Sequence, residues 1–294
     1  MTPPPMPPAE LRIVVLLNDT RPGRGVLAGL AQRGIRVAGV IIESDCELRH
    51  CYRATTSLGR LAETPLALAR SVWRRLRAQR FLTRHLGRGT RRLLSARRDN
   101  ERARRFVADL GTDVLVLAGV GLVGRELLAI PRLGTLNSHP GLVPWVRGNG
   151  AVCNAILRGV AIGATCHRVD PGIDTGPVIS RRLLPVRGGE TLEDLEARAV
   201  ELATSLLLDV VSHAAAKRSL PEGMAQQDRY PLGRWQDARG RAAAAERLAA
   251  GRAAELYSQW KAWCRTPDSD ELRDAIPGES VPPIAPSATR ARPL

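Results

Sequence analysis

The sequence predicts an α/β protein: a mostly parallel β-sheet flanked by helices. Three observations predict it. Residues 11–17 (LRIVVLL), 37–42 (VAGVII) and 113–118 (DVLVLA) are short, nearly continuous apolar runs, the pattern of strands buried on both faces. A polar, Gly/Pro-rich loop and a helical stretch separate the first two, which makes a β-α-β unit with a right-handed crossover. A long stretch after Thr191 carries a single apolar stripe at helical period, as a helix lying on a sheet must.

Taken in order, residues 18–25 read as a loop, and residues 26–33 as a helix stopped near Gly34. In residues 66–98, Leu, Ala, Trp73 and Phe81 alternate with Arg at helical spacing. That pattern predicts one or two amphipathic helices, broken near Gly87 and Gly89 and inserted into the main domain. Residues 101–110 read as a further helix, 113–118 as the third strand and 135–138 as a short fourth. Thr191 and Asp194 form a capping box. Leu192, Leu195, Ala199, Leu202, Leu206 and Val210 follow at three- and four-residue steps, a face to lay on the sheet. Beyond Leu232 the chain is Ala/Arg-rich, with Trp260 and Trp263 near the end of a predicted terminal helix. The expected organisation is a disordered start (1–10), a main domain (11–232) with its helical insertion (66–98), a helical extension (233–277) and a Pro-rich disordered tail (278–294). There are no internal repeats.

Bulk composition narrows the function. The 294 residues are long for one α/β domain and short for two. A hydrophobic fraction of 44% supplies a core, and with 3% aromatics that core must be Leu, Val, Ile and Ala. The longest apolar run, residues 114–124, falls well short of the ~20 residues that cross a bilayer, so a membrane span is not expected. The first ten residues lack the charged start and apolar centre of a signal peptide. Five cysteines, odd in number and widely spaced, argue for reduced thiols and a cytoplasmic protein. Cys46, His50 and Cys51 lack the second ligand pair that zinc prefers, so no metal is expected. The net charge of +15 is almost all arginine, Lys217 and Lys261 being the only lysines. The arginines concentrate in residues 70–105 with few aromatics for base stacking. A solvated helical face and a surface that attracts an anionic substrate both remain open, and a nucleic-acid partner is not favoured.

The chemistry concentrates in residues 137–177. Asn137 and His139 stand two apart at the end of a strand, so they share a face. Pro140 then forces the chain out of the sheet. Ligands of open parallel sheets bind beyond the carboxyl ends of the strands. A second stretch, Pro171-Gly172-Ile173-Asp174-Thr175-Gly176-Pro177, surrounds one carboxylate with turn formers and can hold it against a histidine. Taken singly, these are a turn and a core histidine.

Taken together, NSHPGLVPWVRGNG and GIDTGPVI resemble the folate-dependent formyltransferase family, which includes glycinamide ribonucleotide transformylase, methionyl-tRNA formyltransferase and the sugar N-formyltransferases. The family's pattern is Asn-x-His followed by Leu-x-Pro and Arg-Gly, then Asp-x-Gly on a later loop. The upstream DVLVLAGVG and the helix after GGETLEDLE are similar to it as well. The resemblance covers residues 11–211 apart from the insertion. It implies the formyltransferase fold, a Rossmann-like mostly parallel sheet, and 10-formyltetrahydrofolate as co-substrate without a metal.

The same resemblance implies the site residues. Asn137 stabilises an oxyanion, His139 donates or shuttles a proton, and Asp174 orients the imidazole and favours its charged form. Leu117, Ala118, Gly119, Val120, Gly121 and Leu122, with Val169, Asp170, Gly172 and Ile173, correspond to the pterin pocket, read through backbone groups. Arg147 and Asn149 are candidate substrate-binding residues, a loop salt bridge being the other reading of Arg147. His167 and Cys166, on the strand before the loop, read as a structural histidine and a small core residue. The expected acceptor is a small-molecule amine, on a nucleotide-linked amino sugar or an amino-acid-like metabolite, and a homodimer stays open. The alternatives are a methionyl-tRNA formyltransferase-like enzyme and a catalytically silent, basic nucleic-acid-binding protein on the same fold.

Overall fold

The computed structural model describes residues 10–18, 20–43, 86, 89–95, 99–226 and 230–263. Its elements in chain order are β1 (Ile13–Asn18), α1 (Arg21–Gln32), β2 (Gly39–Glu43), β3 (Arg91–Ser95), α2 (Glu101–Asp109), β4 (Val114–Ala118), α3 (Arg125–Leu128), β5 (Gly134–His139), α4 (Ala151–Arg158), β6 (Gly163–Arg168), β7 (Val178–Leu183), α5 (Leu192–Lys217), α6 (Ala238–Ala249) and α7 (Arg252–Trp263). The strands form one seven-stranded sheet in the order β3-β2-β1-β4-β5-β6-β7. The described pairings from β3 to β5 are parallel, and β7 runs antiparallel to β6. The α/β class and the mostly parallel sheet are therefore as the continuous apolar runs predicted. The chain divides into two compact units, residues 1–136 with 214–219, and residues 137–213 with 220–294.

In the first unit β1 lies between β2 and β4, with Val15 opposite Val40 on one side and Val116 on the other. Ile13 to Leu17 and Val114 to Ala118 are buried along their whole length. This explains why these runs lack polar alternation. Asn100 caps α2 by accepting from the Ala103 N–H at 2.9 Å, in place of a free N-terminal donor.

The strand β3 corrects the helical reading of residues 66–98 at its end. Residues 91–95 pair in parallel with β2, Gly39 opposite Arg91 and Glu43 opposite Ser95. Leu93 and Ser95 are buried, whereas Arg91, Arg92 and Leu94 are exposed. That is the period of two of an edge strand, whose exposed arginines discourage further pairing. Over five residues, adjacent Leu93 and Leu94 also fit a helical stripe, so the two periods could not be separated. The rest of the expected insertion, except Leu86 and residues 89–90, lies outside the described residues. So do the Cys46-His50-Cys51 cluster, residues 1–9 and residues 264–294. Among the described residues, no group of three or more His, Cys, Asp and Glu is arranged to hold a metal.

The second unit has its own core. Leu142, Trp145 and Val146 from the segment after β5 pack with Val152 and Ile156 of α4, Leu183 of β7 and Leu192, Leu195 and Ala199 of α5. The capping box at α5 is formed. The Thr191 N–H donates to Asp194 Oδ2 at 3.0 Å, and the Asp194 N–H to Thr191 Oγ1 at 3.2 Å. By length and composition alone, α5 could cross a membrane, but its first turns are buried in this core. The expected terminal helix is two helices, α6 and α7. Ala244, Ala253 and Trp260 from them are buried in the same core, where Trp260 meets Trp145 edge-on at 5.1 Å between ring centroids.

Candidate active site

β5 delivers Asn137 and His139 at its carboxyl end, where Pro140 turns the chain away. The turn is fixed from β6. The buried Thr165 hydroxyl donates to the Gly141 carbonyl at 2.8 Å and accepts from the Val143 N–H at 3.2 Å. β6 carries His167 beside them, and the following loop returns Asp174. That loop is closed at its base, where the Arg168 N–H donates to the Pro177 carbonyl at 2.9 Å. Within it, Asp170 Oδ1 accepts from the Gly172 N–H at 3.1 Å and the Thr175 hydroxyl at 2.6 Å. A Cβ on Gly172 would lie 1.9 Å from Thr175 Oγ1, so only glycine fits. At the loop tip Asp174 adopts φ 52°, a conformation that Asp tolerates better than most residues.

The result is a carboxylate between two imidazoles. Asp174 Oδ2 lies 3.4 Å from His139 Nδ1, and Asp174 Oδ1 lies 3.5 Å from His167 Nε2. The Gly148 N–H donates to Asp174 Oδ2 at 2.9 Å. The Asn137 amide nitrogen is 3.5 Å from His167 Nε2. His167 Nδ1 donates to the Arg168 carbonyl at 2.8 Å, which turns Nε2 toward Asp174 and Asn137. Contacts of 3.4–3.5 Å are longer than ideal hydrogen bonds. All of these residues belong to the second unit.

Burial sets the electrostatics. It pushes the His139 pKa below its ordinary value, against the opposing pull of Asp174; the nearby His167 lowers it further, and the Val146 carbonyl raises it. Asp174 thus favours the charged form of His139, as expected of it, but burial outweighs that pull and favours the neutral imidazole. Burial alone would raise the Asp174 carboxyl, but His139, His167 and the Gly148 N–H together hold it well below the usual carboxylate range. An ionised carboxylate beside Nδ1 selects the tautomer with its proton there. Nε2 is then the basic nitrogen. It is buried and has no hydrogen-bond partner among the described residues.

The three expected catalytic residues thus come together, and His167, read as structural, joins them. Its signal was its position at the end of the strand that opens the Asp174 loop. Arg147 is buried, and its Nη2 donates to the Tyr230 carbonyl at 2.8 Å. Asn149 is exposed, and its carbonyl accepts from Asn154 Nδ2 at 2.9 Å. Asp170 and Gly172 close the loop on itself, and Val169 and Ile173 are half-buried in it. In the first unit, Leu117 and Ala118 are buried at the end of β4, Val120 is half-buried, and Gly119, Gly121 and Leu122 are exposed. There Asn18 donates from its side-chain amide to the Gly119 carbonyl.

A carboxylate, two histidines and an amide gathered in this way are residue types suited to acid–base chemistry. Residues 74–211 match the family model described as Formyl transferase. The methionyl-tRNA formyltransferase of Legionella pneumophila (strain Corby) is 35% identical over 119 residues, 40% of this chain and 38% of that protein. The chain thus spans about two fifths of the length of the curated relatives it matches. A phosphoribosylglycinamide formyltransferase from Anaplasma phagocytophilum shares the fold with a TM-score of 0.52 at 20% identity, over 76% of this chain and 98% of that one. A sugar N-formyltransferase from Shewanella sp FDAARGOS_354 does so with a TM-score of 0.50 at 14% identity, over 87% and 80%.

Proposed function

We propose that this chain transfers the formyl group of 10-formyltetrahydrofolate to the amine of a small-molecule acceptor in the cytoplasm. The observation that carries this reading is the Asp174 carboxylate held between His139 and His167 beside the Asn137 amide. The neutral His139 Nε2 accepts the proton that the amine loses as it attacks the formyl carbon. The imidazolium so formed is stabilised by Asp174 and the Val146 carbonyl. Asn137 donates an amide N–H to the oxyanion that develops on the formyl oxygen. His139 then returns the proton to the departing folate nitrogen. Within the second unit, the Val169, Asp170, Gly172 and Ile173 stretch would take the pterin, and the acceptor would lie near Arg147 and Asn149. The amine is on a nucleotide-linked amino sugar or an amino-acid-like metabolite.

One observation favours a second reading, transfer to methionyl-tRNA: the Legionella pneumophila relative named above, 35% identical over 119 residues, carries that activity in its name. Incubating the full chain with the folate donor and either a panel of small amines or charged initiator tRNA separates the two. Tetrahydrofolate release with mass gain on a small amine supports the first. Formylation of the tRNA alone, weakening steeply with salt, supports the second. No release with any acceptor refutes both.

A further inference from the structure

We infer that Gln226, beyond the segment that matches the family model, is a positioning residue that holds Asp174 against His139. The inference rests on the proposed role of that pair. Gln226 Nε2 donates to the Asp174 carbonyl at 3.1 Å and to the Gly176 carbonyl. It thereby straps both sides of the loop tip, where Asp174 carries its positive φ. An unusual backbone conformation of this kind persists only when its surroundings over-determine it. Gln226 is itself anchored. Two residues earlier, Met224 and Val178 exchange backbone hydrogen bonds, N–H to carbonyl, of 2.7 and 2.8 Å, so the strap is anchored on the first residue of β7.

A second contact, at Gly233, also supports the carboxylate. Gly233 exchanges backbone hydrogen bonds with Arg147 at 2.8 Å and Asn149 at 3.1 Å. Between them sits Gly148, whose N–H holds Asp174 Oδ2. Gln226 and Gly233 therefore bracket Asp174, Gln226 on its main chain and Gly233 behind the donor to its side chain. The Gln226 amide has a polar job that size alone does not fill.

The test compares Gln226→Met, which keeps the length and removes the donor, with Gln226→Ala, Asp174→Asn and the native chain. The readout is the His139 imidazole titration by NMR, which needs no acceptor. The groups facing that ring are Asp174, His167 and the Val146 carbonyl. Asp174 raises the His139 pKa, so weakening its hold lowers the midpoint. Asp174→Asn is expected to lower it most, and Gln226→Met to lower it part of the way while the thermal transition stays cooperative. With donor and acceptor, Gln226→Met should also lose about tenfold in kcat with little change in KM, the scale of losing neutral hydrogen bonds. A native midpoint and native kcat in both Gln226 variants would overturn the inference. A shifted midpoint in a chain that transfers no formyl group would instead leave the positioning role standing and remove the proposed reaction.

Discussion

Asp174→Asn replaces the buried carboxylate with an amide of the same shape. In the native chain the carboxylate stands 3.4 Å from His139 Nδ1. When His139 takes up the amine proton, the two become a unit-charge pair. At an effective dielectric constant of about 20, such a pair at this distance is worth about 5 kcal/mol. The amide keeps part of that through its dipole and can still accept from the Gly148 N–H. A loss of about 3 kcal/mol in the transition state is therefore expected, roughly a hundredfold in kcat. The fold should survive, because the variant no longer buries a charge. The assay is tetrahydrofolate release at saturating donor, followed across pH. On the acid side, native activity falls as pH drops through the His139 pKa, which burial places below its ordinary value. In Asp174→Asn that limb should move to still lower pH, since the charge that favoured the imidazolium is gone. A variant within about threefold of native turnover, with its acid limb unmoved, would refute the electrostatic role.

Two further outcomes follow from the same geometry. His139 has a lowered pKa in the folded chain, so its contribution to stability is complete above about pH 6.5, the unfolded value, and is lost as pH falls toward the folded one, at up to about 1.4 kcal/mol per pH unit. His139→Asn should remove that slope from thermal melts in the mildly acidic range, and an unchanged slope would show that the imidazole is not buried neutral. Gly148→Ala should cost roughly 1–3 kcal/mol, because φ is +80° and the new Cβ would lie 2.6 Å from the Gly233 carbonyl. It should also lower turnover by displacing the N–H on Asp174, whereas an unaltered melting temperature would contradict the contact.

The sequence made the sheet legible where strands are buried on both faces, as in β1, β2 and β4, because nothing polar interrupts the apolar run. It also made α5 legible, since Thr191 and Asp194 announce its start and a repeated stripe its length. The strand β3 was hidden because five residues hold too little period to oppose a long Arg-rich helical pattern, and its partner β2 is distant in sequence. Of the site, Asn137, His139 and Asp174 stood out through their spacing and turn residues. His167 did not, because its role depends on β6 lying beside β5 and on the Arg168 carbonyl turning its ring. Gln226 was invisible for a related reason. Its partners are main-chain carbonyls some fifty positions away, and carbonyls leave no mark in sequence.

Single-turnover transfer of an isotopically labelled formyl group from 10-formyltetrahydrofolate, followed by mass spectrometry of both products, bears most directly on the site. The native chain should move one label to one amine for each tetrahydrofolate formed, and His139→Ala should still bind the donor while moving almost none. Label that stays on the folate with every amine and with methionyl-tRNA, or that moves equally fast in His139→Ala, would contradict the assignment.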